Sequence, residues 1–210
     1  MAMTETKFVP RYVRRDRINH WVVAVLFFGA GLSGLSLFHP ALFFLSNLFG
    51  GGPWTRILHP FMGVLMVVSF AGLFSRFWRA NVMTDNDKAW NRNLLALLRG
   101  DKGNMPPAGR YNAGQKVMFW TFSGSLALLF ITGFVFWRPW FAGYFPILAI
   151  RLALVLHAFA AVVLVLTLIV HVYAVIWVKG TLRAMTRGTV TRTWADRNHP
   201  LWNKEVTGGP

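Results

Sequence analysis

Four long stretches without a single charged residue, Ile18–Thr55, Ile57–Ser75, Val117–Trp137 and Leu152–Val178, constrain this chain more than any other feature. A helix needs about 20 apolar residues to cross the hydrocarbon of a bilayer, and a chain in lipid must satisfy its own backbone. Four such runs therefore predict an all-α, integral membrane bundle of four transmembrane helices. The first run is too long for one helix and is broken at His39-Pro40, so the span is read as 21–38. Ala41–Phe49 then forms a short apolar segment in the outer interface, ended by Gly50-Gly51-Gly52-Pro53. The remaining spans are about 57–75, 117–137 and 152–178, with a loop at 76–116 and a tail at 179–210, all in one membrane domain over 1–210. A cleaved signal peptide competes for the first span. The length of the basic segment before it and the lack of a small-x-small cleavage site argue against that alternative.

Charge supplies the orientation. The chain carries 22 Lys+Arg against 7 Asp+Glu, a net +15. The N-terminal segment, the 76–116 loop and the tail together hold 19 of those basic residues, and the two other loops hold only Arg56, Arg138 and Arg151. The positive-inside rule then places both termini and the 76–116 loop in the cytoplasm, with the chain multi-pass in the membrane. Basic residues blocked between apolar runs are not the solvated surface of a nucleic-acid binder, and no nucleic acid is expected as a partner. Within the loop, Trp90, Leu94, Leu95 and Leu98 recur at helical spacing, which predicts a short amphipathic helix docked on the inner membrane surface.

With no cysteine, disulfides, thiolate catalysis, iron–sulfur ligation and covalent c-type haem attachment are all excluded for this chain, so its metal chemistry falls to histidine, methionine or carboxylates. Seven scattered acidic residues do not support paired-carboxylate catalysis or a calcium or magnesium cage. Of six histidines, His20, His59, His157 and His171 lie in or at the ends of the spans. His157 and His171 are 14 residues apart on the fourth span. They return to within about 40° of one face, roughly 21 Å apart along the axis. By the same topology His20 begins the first span at the inner level and His59 begins the second at the outer level. Depth pairs His20 with His171 and His59 with His157.

Two stacked pairs of neutral imidazoles on facing helices suit two six-coordinate b-type haems, whose filled axial positions favour electron transfer over O₂ binding. Ala24, Gly63, Ala161 and Ala174, three or four residues after the histidines, offer space for a flat macrocycle, although small residues are also ordinary helix contacts in membranes. Arg17 and Lys179 on the inner side, and Arg56, Arg138 and Arg151 on the outer, could meet propionates or serve only as topology residues. His39 and His199 precede prolines outside the spans and are read as non-ligands.

The segments Arg17-Ile18-Asn19-His20-Trp21, Arg56-Ile57-Leu58-His59-Pro60-Phe61, Gly109-Arg110-Tyr111-Asn112-Ala113-Gly114-Gln115-Lys116, Trp137-Arg138-Pro139, His171-Val172-Tyr173 and Trp177-Val178-Lys179-Gly180 occur in order along the chain. Together they resemble the cytochrome b gamma subunit of respiratory formate dehydrogenases. The resemblance extends to Trp194-Ala195 and His199-Pro200-Leu201-Trp202, while Asn198 and Leu201 depart from the family's tail. It implies two b haems, on His59/His157 at the periplasmic side and His20/His171 at the cytoplasmic side. It further implies electron entry from an iron–sulfur beta subunit and a quinone, menaquinone or ubiquinone, as acceptor at Asn112, Gly114 and Gln115. A molybdenum- or tungsten-containing alpha subunit would perform formate oxidation, for which this chain has no catalytic site. Read from the residues alone, Asn112 and Gly114 simply build the turn into the third span. Rival readings are the cytochrome b subunit of a membrane nickel–iron hydrogenase or other periplasmic oxidoreductase and, in another class, a haem-free transporter or assembly scaffold.

Overall fold

The computed structural model describes residues 7–92 and 106–208. Its helices are α1 (Arg14–Phe38), α2 (Gly52–Phe77), α3 (Asp85–Arg92), α4 (Ala113–Phe136), α5 (Ile147–Trp177), α6 (Thr181–Arg187), α7 (Arg192–Asn198) and α8 (Pro200–Thr207). Two short strands, β1 (Phe8–Pro10) and β2 (Thr189–Thr191), complete the regular structure together with 3₁₀ segments, the longest being Pro40–Phe49. Four of the helices, α1, α2, α4 and α5, are long and apolar enough to cross a membrane.

Each of these helices starts before its expected span. Helix α1 starts at Arg14 rather than near residue 21, and α5 starts at Ile147 rather than 152. Backbone hydrogen bonding continues into the interface, where charged side chains reach water while the helix goes on. Asp16 in the first turn of α1 also complements the positive end of the helix dipole. Pro60 sits inside α2 without ending it, as membrane helices tolerate when neighbouring groups recover the freed carbonyl.

The glycine-rich stretch after the 3₁₀ segment has a backbone explanation. Gly50 and Gly51 take φ of 86° and 92°, left-handed values that glycine adopts without steric cost. This lets Gly51 N–H donate to the Ser46 carbonyl at 2.9 Å, and buried Thr55 Oγ1 then donates to the Gly51 carbonyl at 2.9 Å, tying the turn to the start of α2.

The chain divides into two compact units. One comprises Ile18–Ser75 and Thr121–Val170. Its core is Ala30, Met66, Leu126 and Leu164, one residue from each of α1, α2, α4 and α5, surrounded by side chains such as Phe27, Met62 and Phe122. Most other large apolar side chains of these helices are exposed, among them Val25, Leu65, Ile131 and Val155, as a surface facing hydrocarbon requires.

The second unit is assembled from the N-terminal segment to Arg17, Arg76–Trp120 and the chain from His171 onward. Here β1 pairs antiparallel with β2 in the register Phe8↔Thr191, Val9↔Val190 and Pro10↔Thr189. Val9, Val190, Ala184, Trp194, Ala195 and Trp202 form its core. Gly188, with φ of 79°, accepts from the N–H groups of both Arg11 and Tyr12, so this ribbon clamps the N-terminal segment to the tail. Of the amphipathic helix expected in the loop, Trp90 falls on α3, and Leu94, Leu95 and Leu98 lie outside the described residues.

Candidate functional site

The His59 and His157 rings, carried by α2 and α5, lie with their centres 6.3 Å apart and their planes at 68°. Both rings are anchored in the same manner. Ser33 Oγ on α1 donates to the Ala30 carbonyl at 3.0 Å, and His59 Nδ1 stands 3.0 Å from that hydroxyl and 3.1 Å from the same carbonyl. Thr132 Oγ1 on α4 donates to the Leu128 carbonyl at 2.6 Å and lies 3.0 Å from His157 Nδ1. A hydroxyl whose hydrogen is already engaged can only accept, and a carbonyl never donates. Both imidazoles are therefore the Nδ1–H tautomer, with the lone pair on Nε2.

Two glycines let the helices approach these rings. A Cβ at Gly34 would stand 3.1 Å from His59 Cε1, and one at Gly133 would stand 3.3 Å from His157 Cε1. Either contact would press the ring out of place. Gly63, one of the small residues expected to leave room for a macrocycle, faces open space, where an added Cβ would meet nothing within 4 Å. The informative signal was a hydroxyl residue followed by glycine, Ser33-Gly34 and Thr132-Gly133, standing in the span before each histidine.

This arrangement fits a metal that the two imidazoles would hold between them. A metal–imidazole bond of about 2 Å, with about 1 Å from nitrogen to ring centre, puts two ring centres on one metal roughly 6 Å apart. Nδ1 donating to a fixed acceptor is also the usual support of a metal-bound histidine.

His20 lies half-buried on α1, its ring edge-on to Trp21 at 5.4 Å, and belongs to the same unit as His59 and His157. His171 is half-buried on α5 and belongs to the second unit.

Asn112, Gly114 and Gln115 occupy one turn. Asn112 N–H donates to Gln115 Oε1 at 3.1 Å, and Gln115 N–H donates to Asn112 Oδ1 at 2.9 Å, a reciprocal capping box that starts α4. The box uses both carboxamide oxygens, and the NH₂ groups remain as the donors each side chain has to offer. A Cβ at Gly114 would lie 3.3 Å from the Trp90 ring, so glycine there admits the indole.

A cavity of about 370 Å³ adjoins this turn, lined among others by Asp87, Trp90, Arg110, Asn112 and Lys116. On its wall Lys116 Nζ donates to Asp87 Oδ2 at 2.6 Å and to the Val82 carbonyl at 3.0 Å. Both side chains of this pair are only 8% exposed. Burial pushes the Asp87 carboxyl up, but hydrogen bonds from Lys116 and from the Thr84 hydroxyl and N–H outweigh it and hold the group below its usual 3.8.

His199, read from sequence as a tail residue that is not a ligand, is 1% exposed and donates from Nδ1 to the Gly109 carbonyl at 2.8 Å. Burial, with Arg11 nearby, pushes its imidazole down to about 4. Arg11 is itself buried, 4.1 Å over the Trp202 ring, and hydrogen-bonds the Arg110 carbonyl. Burial lowers its guanidinium too, and Tyr111 beside it is raised by burial. Arg17 donates to the Thr186 carbonyl at 2.6 Å, which ties it to the tail.

Residues 11–188 match the prokaryotic cytochrome b561 family. Over 198 residues, 94% of this chain and 93% of the relative, the sequence is 43% identical to the formate dehydrogenase cytochrome b556(fdo) subunit of Escherichia coli K12. It is 39% identical to that organism's nitrate-inducible formate dehydrogenase cytochrome b556(Fdn) subunit, covering 97% of this chain and 94% of the relative. A formate dehydrogenase cytochrome b556 subunit of Haemophilus influenzae is 36% identical over 90% of this chain and 79% of its own length.

Proposed function

Because the chain belongs to the prokaryotic cytochrome b561 family, haem b proteins of the bacterial inner membrane, we propose that it is the cytochrome b subunit of a formate dehydrogenase. In this reading it holds two b haems and passes electrons from a periplasmic iron–sulfur beta subunit across the membrane to quinone at the cytoplasmic side. A molybdenum- or tungsten-containing alpha subunit oxidises formate. The observation that carries the proposal is the His59–His157 pair, 6.3 Å between centres, with each Nδ1 held by a neighbouring helix.

Bound haem supplies reversible one-electron chemistry at iron. The residues of this chain supply the setting. His59 and His157 would hold the haem nearer the periplasm, and His20 and His171 the one nearer the cytoplasm. Gly34 and Gly133 give the outer imidazoles room, and the apolar helices keep water away. At the cytoplasmic side, the carboxamide NH₂ groups of Asn112 and Gln115 donate to the carbonyl oxygens of quinone, Gly114 leaves clearance, and protons arrive from the cytoplasm.

A pyridine haemochrome assay with a reduced-minus-oxidised spectrum tests the reading, the expected result being two b haems per chain. His59→Ala and His157→Ala should each abolish the same haem, and His20→Ala and His171→Ala the other. Unchanged haem content in both outer variants would defeat the pairing. For the quinone site, Asn112→Ser keeps a capping oxygen but loses the NH₂ donor. It should slow quinone reduction with both haems retained, and normal quinone kinetics in this variant would reduce Asn112 to a helix cap.

A further inference from the structure

Two of the residues that hold the imidazoles belong to no ligand set. Ser33 and Thr132 are buried on α1 and α4, 26 and 25 residues before the histidines they touch. The same device occurs twice. In each copy a hydroxyl residue spends its hydrogen on its own helix, presents its oxygen to the Nδ1 edge of a histidine on the next spanning helix, and is followed by the glycine against which that ring lies. In the first copy the carbonyl three residues earlier, that of Ala30, also faces the ring.

A hydroxyl that merely satisfied a polar ring in lipid could accept or donate. Here the Leu128 and Ala30 carbonyls consume its hydrogen, so it only accepts. That fixes the proton on Nδ1 and leaves the Nε2 lone pair for a metal. An imidazole whose far N–H donates to a fixed oxygen is a stronger donor at its other nitrogen, and a stronger donor favours the more highly charged iron.

We propose that Ser33 and Thr132 are positioning residues for the outer haem: their hydroxyl oxygens hold His59 and His157 in the ligating tautomer and bias that haem toward the ferric form. This inference rests on the assignment of His59 and His157 as haem ligands. It adds that the bias comes from the paired hydroxyls and that electron entry is tuned on α1 and α4, two helices that supply neither of these ligands.

The test is a redox titration of membranes carrying the full-length chain, read at the haem α-band and by the low-spin ferric EPR signal, for Ser33→Ala, Thr132→Val, Thr132→Ser and His59→Ala. Thr132→Val keeps the side-chain shape and deletes the oxygen. The expected result is a higher midpoint potential for one haem, with the ferrous-to-ferric ratio at fixed applied potential rising about two- to tenfold. Tenfold corresponds to about 59 mV for one electron. Ser33→Ala should shift the same haem in the same direction, Thr132→Ser should restore it, and the other haem should stay where it was. If Thr132→Val loses its haem, Ser33→Ala supplies the measurement. Both haems present with unmoved potentials and EPR signals in Ser33→Ala and Thr132→Val would overturn this inference alone. Two haems retained in His59→Ala would overturn the ligand assignment beneath it.

Discussion

Acidification should loosen the unit built from the termini and the 76–120 segment, because His199 is buried there in its neutral form. Its Nδ1–H donates to the Gly109 carbonyl at 2.8 Å, and a proton added to Nε2 would create a buried cation near Arg11. The folded value of about 4 lies below the ordinary 6.5, so the unfolded segment binds the proton first as pH falls. The contribution of His199 is complete above about pH 7, shrinks as pH drops through 6.5 and is spent near 4. Linkage over these two values gives a loss of about 2 kcal/mol at pH 5 and about 3 kcal/mol at pH 4, which at pH 5 is roughly a thirtyfold rise in local opening. Asp87, held below 3.8, stays largely ionised over pH 5–7 and adds little slope of its own. Hydrogen exchange with mass spectrometry, corrected for intrinsic exchange rates, reads this directly in peptides covering 106–112 and 192–207. Wild type should lose that protection between pH 7 and 5, and His199→Asn, which keeps an N–H donor but does not titrate, should be flat. Equal losses in both proteins, or none in wild type, would refute the reasoning.

Asp87→Ala strands the Lys116 ammonium at a site where its side chain is 8% exposed and removes the acceptor of Thr84 N–H. We expect a stability loss of about 3–5 kcal/mol by thermal unfolding in detergent, with Asp87→Ala/Lys116→Met recovering much of it; a double variant no better than the single would contradict a buried-charge origin. Gly188→Ala would place a Cβ 2.7 Å from the Tyr12 carbonyl at a φ of 79°. The left-handed backbone alone costs about 1–2 kcal/mol, and the β1–β2 ribbon should open with it. Faster exchange of the Arg11 and Tyr12 amides is the expected sign, and unaltered exchange would mean that the ribbon does not depend on glycine there.

The histidines show why part of the site was legible. Depth depends only on position along an apolar run and on the charge bias of the loops, so His59 and His157 could be set at one level from sequence, and their rings do lie side by side. Asn112 and Gly114 were legible as the turn into the third span because turn chemistry is local, but the reciprocal bond between Asn112 and Gln115 came only with the structure. Ser33, Gly34, Thr132 and Gly133 escaped notice because their meaning arises only where one helix passes another. A serine or glycine in a span reads as an ordinary helix contact until the ring it touches is known.

His199 and Arg11 mark the opposite limit. One looked like a tail residue and the other like a topology charge, yet both are nearly inaccessible to water. No periodicity announces the three-residue strands Phe8–Pro10 and Thr189–Thr191, which pair across nearly the whole length of the chain. By itself the sequence determined what one-dimensional quantities control: four apolar lengths set against a bilayer, the segments in which charge collects, the absence of cysteine, and the positions of four histidines along the spans. Only the tertiary structure decided which hydroxyl holds which imidazole, which glycine admits a ring and which cation is buried under tryptophan, because each is a contact between residues far apart in the chain.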